Sequence, residues 1–334
     1  MKHICQKNNS WRAIQLASGL LIAACLLASC GCQTLTWFQP RTPPAPVVFE
    51  ATPSAEQLVA NIESNARSVQ QLKSSVKVAM DGLPVSATGT LLMERPQRMR
   101  LKVGLLNMTD TGVDIGSNED RFWVFNKSSV GGQEPAIYFA RHADYQNSQL
   151  RQSLGLEPQW LFDALGLIEF DDSWQVAGPY MVKGFVELHV TSQGPGGIRK
   201  RVMTLHPQSG VILQQAVYDA QNRLLAWAKA DKHRYYAEHE ATLPQYVELN
   251  MVDPQGNNTR LAVQLQSHTI NSLYVDPELT WKMPAPSDVP VVDLNQVNAQ
   301  AVQRVPEIPP GVATATESRR QPYQRPRPQG FDWR

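Results

Sequence analysis

Two groups of residues carry side chains that could do acid–base or metal chemistry. The stretch 231–240 contains His233 and His239 among acidic neighbours, and Asp171 is followed directly by Asp172. On an extended strand the six-residue spacing would place both histidines on one face, which makes a metal site conceivable. A solvated polar strand end explains the same residues more simply. Because adjacent strand residues point to opposite faces, the two aspartates are better explained as a loop pair than as catalytic carboxylates.

The rest of the chain shows no catalytic motif. It contains no GxSxG, HExxH or P-loop pattern, and no GxGxxG pattern after a strand. Its four cysteines all lie in the first 32 residues, which excludes a disulfide scaffold, a cysteine zinc site and a cysteine nucleophile from the body. We therefore expect a protein that is not an enzyme and that needs no cofactor or metal. The cysteines are Cys5, Cys25, Cys30 and Cys32.

The N-terminus predicts a secretion signal and a lipid anchor. Residues 1–12 carry three basic residues and no acid, and residues 13–29 form an apolar run. This order is typical of a secretory signal, and the run is short for a membrane-spanning helix, which needs about 20 residues. It closes with Leu27-Ala28-Ser29-Cys30, which resembles the lipobox of bacterial lipoproteins. The resemblance implies that the Cys30 thiol carries the lipid; an uncleaved signal anchor is the alternative.

The residue after Cys30 indicates a destination. It is Gly31 rather than aspartate. By resemblance to the enterobacterial sorting rule, this favours the outer membrane over the inner one. We expect the protein to be lipid-anchored there and to face the periplasm.

Charge and composition exclude two further classes. Lys and Arg number 31 against 30 Asp and Glu, a net charge of +1, and 42% of the residues are hydrophobic. A chain this apolar and this weakly charged is not disordered throughout. It also lacks the basic excess that neutralises phosphates, so we expect no nucleic-acid partner.

Proline marks the borders of the folded body. Five prolines fall between Pro40 and Pro53, which predicts a semi-rigid spacer over residues 30–53, after the signal peptide 1–29. Nine prolines follow from Pro284 onwards, and residues 296–334 read as a disordered basic tail. This tail is either simply solvated or contacts anionic lipid or cell-wall polymer. The folded domain is therefore predicted over 54–295.

The body opens with a helix and continues as strands. Ser54 and Gln57 suit a capping box, and the apolar residues after them recur at helical spacing, which predicts a helix over about 55–70. Apolar and polar residues then alternate with a period of two between turn signals, which predicts about eleven antiparallel strands. A short apolar helix interrupts them over 157–166. Strands such as Phe122-Trp123-Val124-Phe125 are apolar on both faces and need a second cover or a partner.

Four segments resemble the lipoprotein-localisation carriers and receptors, LolA and LolB. Gly89-Thr-Leu-Leu-Met-Glu-Arg-Pro96 looks like the carrier's glycine–leucine strand, and 120–126 matches its strand with tryptophan and asparagine. The helix at 159–166 is similar to the receptor's Gln-Trp helix. The pair 243–249 and 260–265 looks like the receptor's last hairpin. The four segments occur in the order expected of the family.

The resemblance implies a fold and a set of site residues. The fold is mainly β: an incomplete antiparallel barrel, or half-barrel, with the N-terminal helix and the short inserted helix as a lid over an apolar cavity. Arg95 takes the place of the arginine that ties the lid to the barrel, with a surface strand-end arginine as the alternative. Leu106 and Met108 lie in the loop that matches the receptor's membrane-probing loop, with a buried strand end as the alternative. The candidates for the cavity lining are Leu91, Met93, Met99, Leu101, Val124 and Leu161.

Two functions follow from this interpretation. In the first, the anchored protein binds the acyl chains of lipoproteins or lipids, as a receptor that works with a periplasmic carrier. In the second, it is a structural or sensory envelope lipoprotein that uses the same fold to bind a protein or the cell wall. A cavity that is open to an acyl chain would favour the first function, and a cavity filled by its own side chains would favour the second.

Overall fold

The N-terminal helix begins where its capping box predicts. The structure is a computed structural model of the chain, and helix α1 spans Ala55–Ser68. The Ser54 side chain accepts a hydrogen bond from the Gln57 amide at 3.3 Å, and the Gln57 side chain accepts one from the Ser54 amide at 2.8 Å. These two bonds satisfy N–H groups that the first helical turn leaves free. The model describes residues 42–80, 86–105, 108–127, 134–146, 158–194, 197–252, 256 and 258–296.

Strands make up most of the remaining elements. The first six are β1 (Gln71–Met80), β2 (Ala87–Glu94), β3 (Arg98–Leu105), β4 (Met108–Ser117), β5 (Arg121–Asn126) and β6 (Ala136–Arg141). Helices α2 (His142–Gln146) and α3 (Gln159–Ala164) follow. The next five strands are β7 (Gln175–Val182), β8 (Phe185–Gly194), β9 (Gly197–Leu205), β10 (Ile212–Tyr218) and β11 (Leu224–Asp231). The last elements are β12 (Arg234–Tyr236), β13 (Ala241–Leu243), β14 (Tyr246–Val252), β15 (Asn258–Ile270), α4 (Pro277–Thr280) and β16 (Val291–Asp293).

The described strands form one large open sheet and a small ribbon. The sheet has fourteen of them, in the order β16-β6-β5-β4-β3-β2-β1-β15-β14-β11-β10-β9-β8-β7, while β12 and β13 pair separately. All pairs are antiparallel except β16 with β6. The prediction of a mainly β fold with one large sheet that does not close is confirmed. The predicted count of about eleven strands is wrong, because short strands such as β12, β13 and β16 carry too few residues to show a period.

Helices α1 and α3 lie on one face of this sheet, which we call the inner face. Residues directly opposite in antiparallel strands share a face, and the row Met203, Gln215, Ala228 and Leu249 runs across β9 to β14 on this side. Leu58 and Ile62 of α1 pack on the β8–β9 end of the inner face. Helix α3 contacts β11 and β14, and its Leu161 and Phe162 belong to the apolar cluster at the centre of this face.

The opposite, outer face is covered by the C-terminal segment of the chain. Arg100 on β3 donates to the carbonyl of Leu279 at 3.2 Å and to that of Thr280 at 2.6 Å, next to α4. Asn118 donates to the carbonyl of Trp281 at 3.0 Å. Farther along, β16 adds to the edge of β6. The second cover that the apolar strand 122–125 requires is therefore supplied by the chain itself.

The predicted borders fall partly outside this description. The signal peptide, Cys30 and residues 297–334 lie outside the described residues. Residues 42–53 of the predicted spacer are described, and they lie against the body: the amides of Val48 and Phe49 donate to the carbonyl of Gln208 at 2.8 and 2.9 Å. Within the described ranges, no helix has both the length and the apolar composition needed to cross a membrane.

Candidate functional site

Five of the six predicted cavity residues lie together at the centre of the inner face. Leu91 of β2 is paired with Leu101 of β3, and Met93 is paired with Met99 on the same two strands. All four are almost completely buried, and Leu161 of α3 packs in the same cluster. The side chains of the protein fill this region themselves.

The sixth residue, Val124, lies farther out along the same face. It is paired with Ile115 of β4, which is paired with Leu101 of β3. Val124 is only partly buried, whereas Leu101 is buried. The apolar row therefore continues past the edge of the region that α3 covers.

Helix α3 is short and almost wholly apolar where it meets the sheet. It begins after Pro158 and has six residues, and Trp160, Leu161 and Phe162 are buried. It ends at Ala164, and Gly166 follows with a φ of +79°, the left-handed conformation that glycine adopts without strain. A helix this short is stabilised by the packing of its side chains in the core, because six residues are too few to form a stable helix alone.

A buried polar group fixes the end of α3 to the sheet. Asp163 accepts a hydrogen bond from Arg201 of β9 at 2.6 Å, and Arg201 also donates to the side chain of Gln215 on β10 at 3.0 Å. Gln215 in turn donates to the backbone carbonyl of Asp163. Each partner satisfies another, which a buried charge requires. The pattern of the sequence did not reveal this group, because its members are 14 to 52 residues apart.

Arg95 ties α1 to the end of β2. Its Nη1 donates to the carbonyl of Ala66 in the last turn of α1 at 3.0 Å, and its Nη2 forms an ion pair with Glu169, which follows α3. The side chain is 8% exposed. Arg95 is therefore a buried link between the two covering helices and the sheet rather than a strand-end surface residue. That it opens as a latch stays a prediction.

The structure does not describe the predicted membrane-probing tip. Leu106 lies outside the described residues. Met108 begins β4, where its backbone is paired with Leu105, and its side chain is not described. The lipidation site Cys30 also lies outside them. All three assignments stay predictions.

The histidines of 231–240 do not share a strand face. His233 precedes β12, and His239 lies in the 3₁₀ turn Ala237–His239 beyond it, so the shared face that a metal site would need does not form. In the described part of the chain, no three His, Cys, Asp or Glu side chains are grouped so as to hold a metal ion. Asp171 and Asp172 lie in the loop before β7, as predicted, and Asp171 accepts a hydrogen bond from the Ser173 amide at 2.8 Å.

Two histidines are held uncharged by burial. Burial lowers the pKa of His233 to about 4 and that of His268 to about 4 as well, against an ordinary value of 6.5. Asp231 opposes this shift at His233 without cancelling it. Both imidazoles are therefore neutral at neutral pH.

Comparison with solved structures gives several matches of low sequence identity. A LolA superfamily protein from Nitrosomonas europaea matches at 12% identity and a TM-score of 0.41, over 67% of this chain and 96% of that one. A structure described as an outer membrane lipoprotein-sorting protein domain, from Vibrio parahaemolyticus, matches at 10% identity and a TM-score of 0.44, over 67% of this chain and 97% of that one. The resemblance predicted from the sequence thus recurs in the comparison of solved structures, as a likeness of fold.

A further solved structure is similar to this chain, whereas the sequence comparisons find no match. A complex of MucA and MucB from Pseudomonas aeruginosa matches at 10% identity and a TM-score of 0.20, over 65% of this chain and 99% of that one. No family model matches this sequence, and no curated protein matches it by sequence comparison. The similarity is therefore one of fold, and it assigns no role to any residue.

Proposed function

We propose that this protein is a lipid-anchored envelope protein whose inner sheet face binds acyl chains beneath helix α3, as a receptor in outer-membrane lipoprotein localisation. The observation that carries the proposal is the contrast between the apolar surface and its cover. A row of buried apolar side chains spans β1, β2, β3 and β15, and its central cover is a helix of six residues. The role is a binding role and requires no catalytic residue.

The free energy that holds α3 on the sheet is comparable with the free energy that an acyl chain gains by binding there. Burying an apolar side chain is worth about 1.5–3 kcal/mol, so Trp160, Leu161 and Phe162 together hold α3 by roughly 5–9 kcal/mol. An acyl chain gains about 0.8 kcal/mol for each buried methylene, so a chain of about twelve methylenes recovers roughly 10 kcal/mol. The binding of an acyl chain therefore offsets the apolar contacts that α3 gives up when it lifts off the sheet to admit the chain beneath it. This exchange reconciles a face filled by its own side chains with a binding role.

Photocrosslinking tests where an acyl chain binds. The full chain, purified from membranes in mild detergent, is mixed with a palmitoyl probe that carries a photoactivatable group near the end of its chain. Irradiation and peptide mass spectrometry then locate the adducts. We expect adducts on β2, β3 and α3, around Leu91, Leu101 and Leu161. Adducts confined to the exposed strand β7, or no adducts above the level with a probe lacking the acyl chain, would refute the proposal.

Two observations favour the second function, a structural or sensory role through a protein partner: the side chains of the protein fill the predicted cavity, and the sheet has an exposed apolar edge. Strand β7 is an edge of the sheet, and its Tyr180 and Met181 are 46% and 55% exposed. An apolar edge with free backbone groups can accept a strand from another chain. In vivo crosslinking from position 181 to a protein, together with failure of the acyl probe, would establish this second function instead.

A further inference from the structure

A segment near the N-terminus crosses the body and closes one end of it. We call residues 42–50 the strap. The carbonyl of Pro43 accepts a hydrogen bond from the Tyr235 amide at 2.8 Å, and Pro44 forms an isolated β-bridge with Arg234. The strap therefore joins the ribbon β12–β13 at one side and the turn after β9, through Gln208, at the other.

A partly open cavity of about 230 Å³ lies beneath the strap, beside the chain that leaves α3. Its walls are the strap, helix α1, the chain just after α3, the turn between β9 and β10, and the ribbon. The ribbon is fixed to α1 by a reciprocal pair: Asn65 donates to the carbonyl of Thr242 at 3.0 Å and accepts from the Thr242 amide at 2.6 Å. The enclosure is therefore built by hydrogen bonds and does not depend on loose packing.

The lining offers both donors and acceptors of hydrogen bonds. Asn61, Ser64, Tyr235 and Glu240 contribute polar side chains, and among the described residues the structure gives none of these side chains a hydrogen-bond partner. Val48 and Ile62 contribute apolar surface. A polar cavity with free hydrogen-bonding groups suits a ligand that can both donate and accept.

Charge narrows the class of ligand. The lining residues include one carboxylate, Glu240, and, within the described chain, no lysine or arginine. His233 also lines the cavity and is uncharged at neutral pH because burial lowers its pKa to about 4. An anion would meet a carboxylate and no opposite charge, so phosphate and carboxylate ligands are excluded.

Gly210 lies in the wall of the cavity at a point where there is no room for a side chain. A β-carbon at this position would lie 2.6 Å from the Asn61 side-chain nitrogen and 2.8 Å from the Phe49 ring. Its φ of +66° is also one that other residues rarely adopt. The glycine therefore allows the strap and the Asn61 amide to meet at the cavity.

We propose that this cavity binds an uncharged, polyhydroxylated ligand the size of one monosaccharide unit. Its volume corresponds to roughly eight water molecules at about 30 Å³ each, which is the space of one pyranose ring with its hydroxyls. The amide and hydroxyl groups pair with the hydroxyls of the sugar, the Glu240 carboxylate accepts from two neighbouring ones, and Val48 with Ile62 contacts the C–H face of the ring. The site is independent of the acyl-binding proposal.

Isothermal titration of the full chain in detergent tests this site. The probes are glucose, N-acetylglucosamine and inorganic phosphate. We expect saturable binding of at least one sugar and none of phosphate. Tyr235→Phe and Asn61→Ala are each expected to weaken sugar binding about three- to tenfold, the effect of one lost hydrogen bond. Tyr180→Phe makes the same chemical change on the exposed strand β7 and should leave the affinity unchanged.

Three results would overturn the proposal. The first is no saturable binding of either sugar to a chain whose circular dichroism is normal. The second is binding that Tyr235→Phe and Asn61→Ala leave unchanged. The third is phosphate binding at the same site. Gly210→Ala provides a second readout, because its methyl group enters the wall of the cavity and should abolish sugar binding while palmitoyl adducts on β2 and β3 persist.

Discussion

Arg100 and Asp114 form a two-point ion pair on the outer face of the sheet, with Nε–Oδ1 and Nη2–Oδ2 distances of 3.0 and 2.8 Å. The two side chains are only 7% and 2% exposed. Arg100 also donates to two carbonyls next to α4, so the pair joins the sheet to the C-terminal segment that covers it.

Removing one member of this pair should be costly. Asp114→Asn leaves a buried guanidinium without its counter-charge, and we expect the free energy of unfolding to fall by about 3–5 kcal/mol. Urea unfolding of the full chain measures this change. Asp120→Asn is the matched control, because its ion pair with Arg121 is largely exposed and should cost less than about 1 kcal/mol. Equal losses in the two variants would contradict a buried role for the Arg100 pair.

Arg95 should stabilise the last turn of α1 more than the sheet. In Arg95→Ala the Ala66 carbonyl loses its side-chain donor, and we expect a loss of about 1–3 kcal/mol together with faster amide hydrogen exchange in peptides from α1. Arg98→Ala, three residues on, removes ion pairs with Glu94 and Glu119 that are more exposed, and should leave α1 unchanged. Unchanged exchange in Arg95→Ala would show that the residue does not hold the helix.

Stability should fall as the pH falls from about 6.5 to about 4. In this window the unfolded chain protonates His233 and His268, whereas the folded chain keeps both neutral because their pKa values are lowered to about 4. Each histidine should contribute a loss on the order of 3 kcal/mol across the window. Urea midpoints at pH 7.5, 5.5 and 4.5 measure the trend. His268→Gln should flatten it, and the exposed His189→Gln should not.

Leu106 should matter for delivery and not for folding. If the loop after β3 probes the membrane, Leu106→Glu places a charge at its tip, which should impair incorporation of lipoproteins into the outer membrane. The thermal midpoint should stay within about 2 °C, since surface substitutions change stability little. Leu106→Met, which keeps the tip apolar, should retain delivery. A large drop in the thermal midpoint of the glutamate variant would show that Leu106 is a core residue.

Local signals in the sequence predicted the elements that depend on neighbouring residues. The capping box of Ser54 and Gln57 placed the start of α1 correctly, because both partners lie within one helical turn. The apolar run of α3 was recognised from Trp160, Leu161 and Phe162. The sequence also assigned Leu91, Met93, Met99, Leu101 and Leu161 to a cavity lining. The structure brings them together in a filled core, and that they contact a ligand stays a prediction.

Contacts between distant segments could not be predicted in this way. The predicted domain ran to residue 295, but nothing in the sequence indicated that Val291–Asp293 forms a parallel strand, because that strand depends on β6, about 150 residues earlier. Asp163, Arg201 and Gln215 each look like ordinary surface residues in the sequence, and only the docking of α3 brings them together. The same holds for the strap, whose prolines indicated a spacer although its backbone binds the ribbon.

The strap shortens the segment of chain between the proposed anchor and the folded body. Cys30, the proposed anchor, is separated from residue 42 by eleven residues, which span at most about 40 Å when fully extended. If the segment ran from Cys30 to residue 54, it would be twice as long. If Cys30 is the anchor, the ribbon end of the body is held within about 40 Å of the bilayer surface.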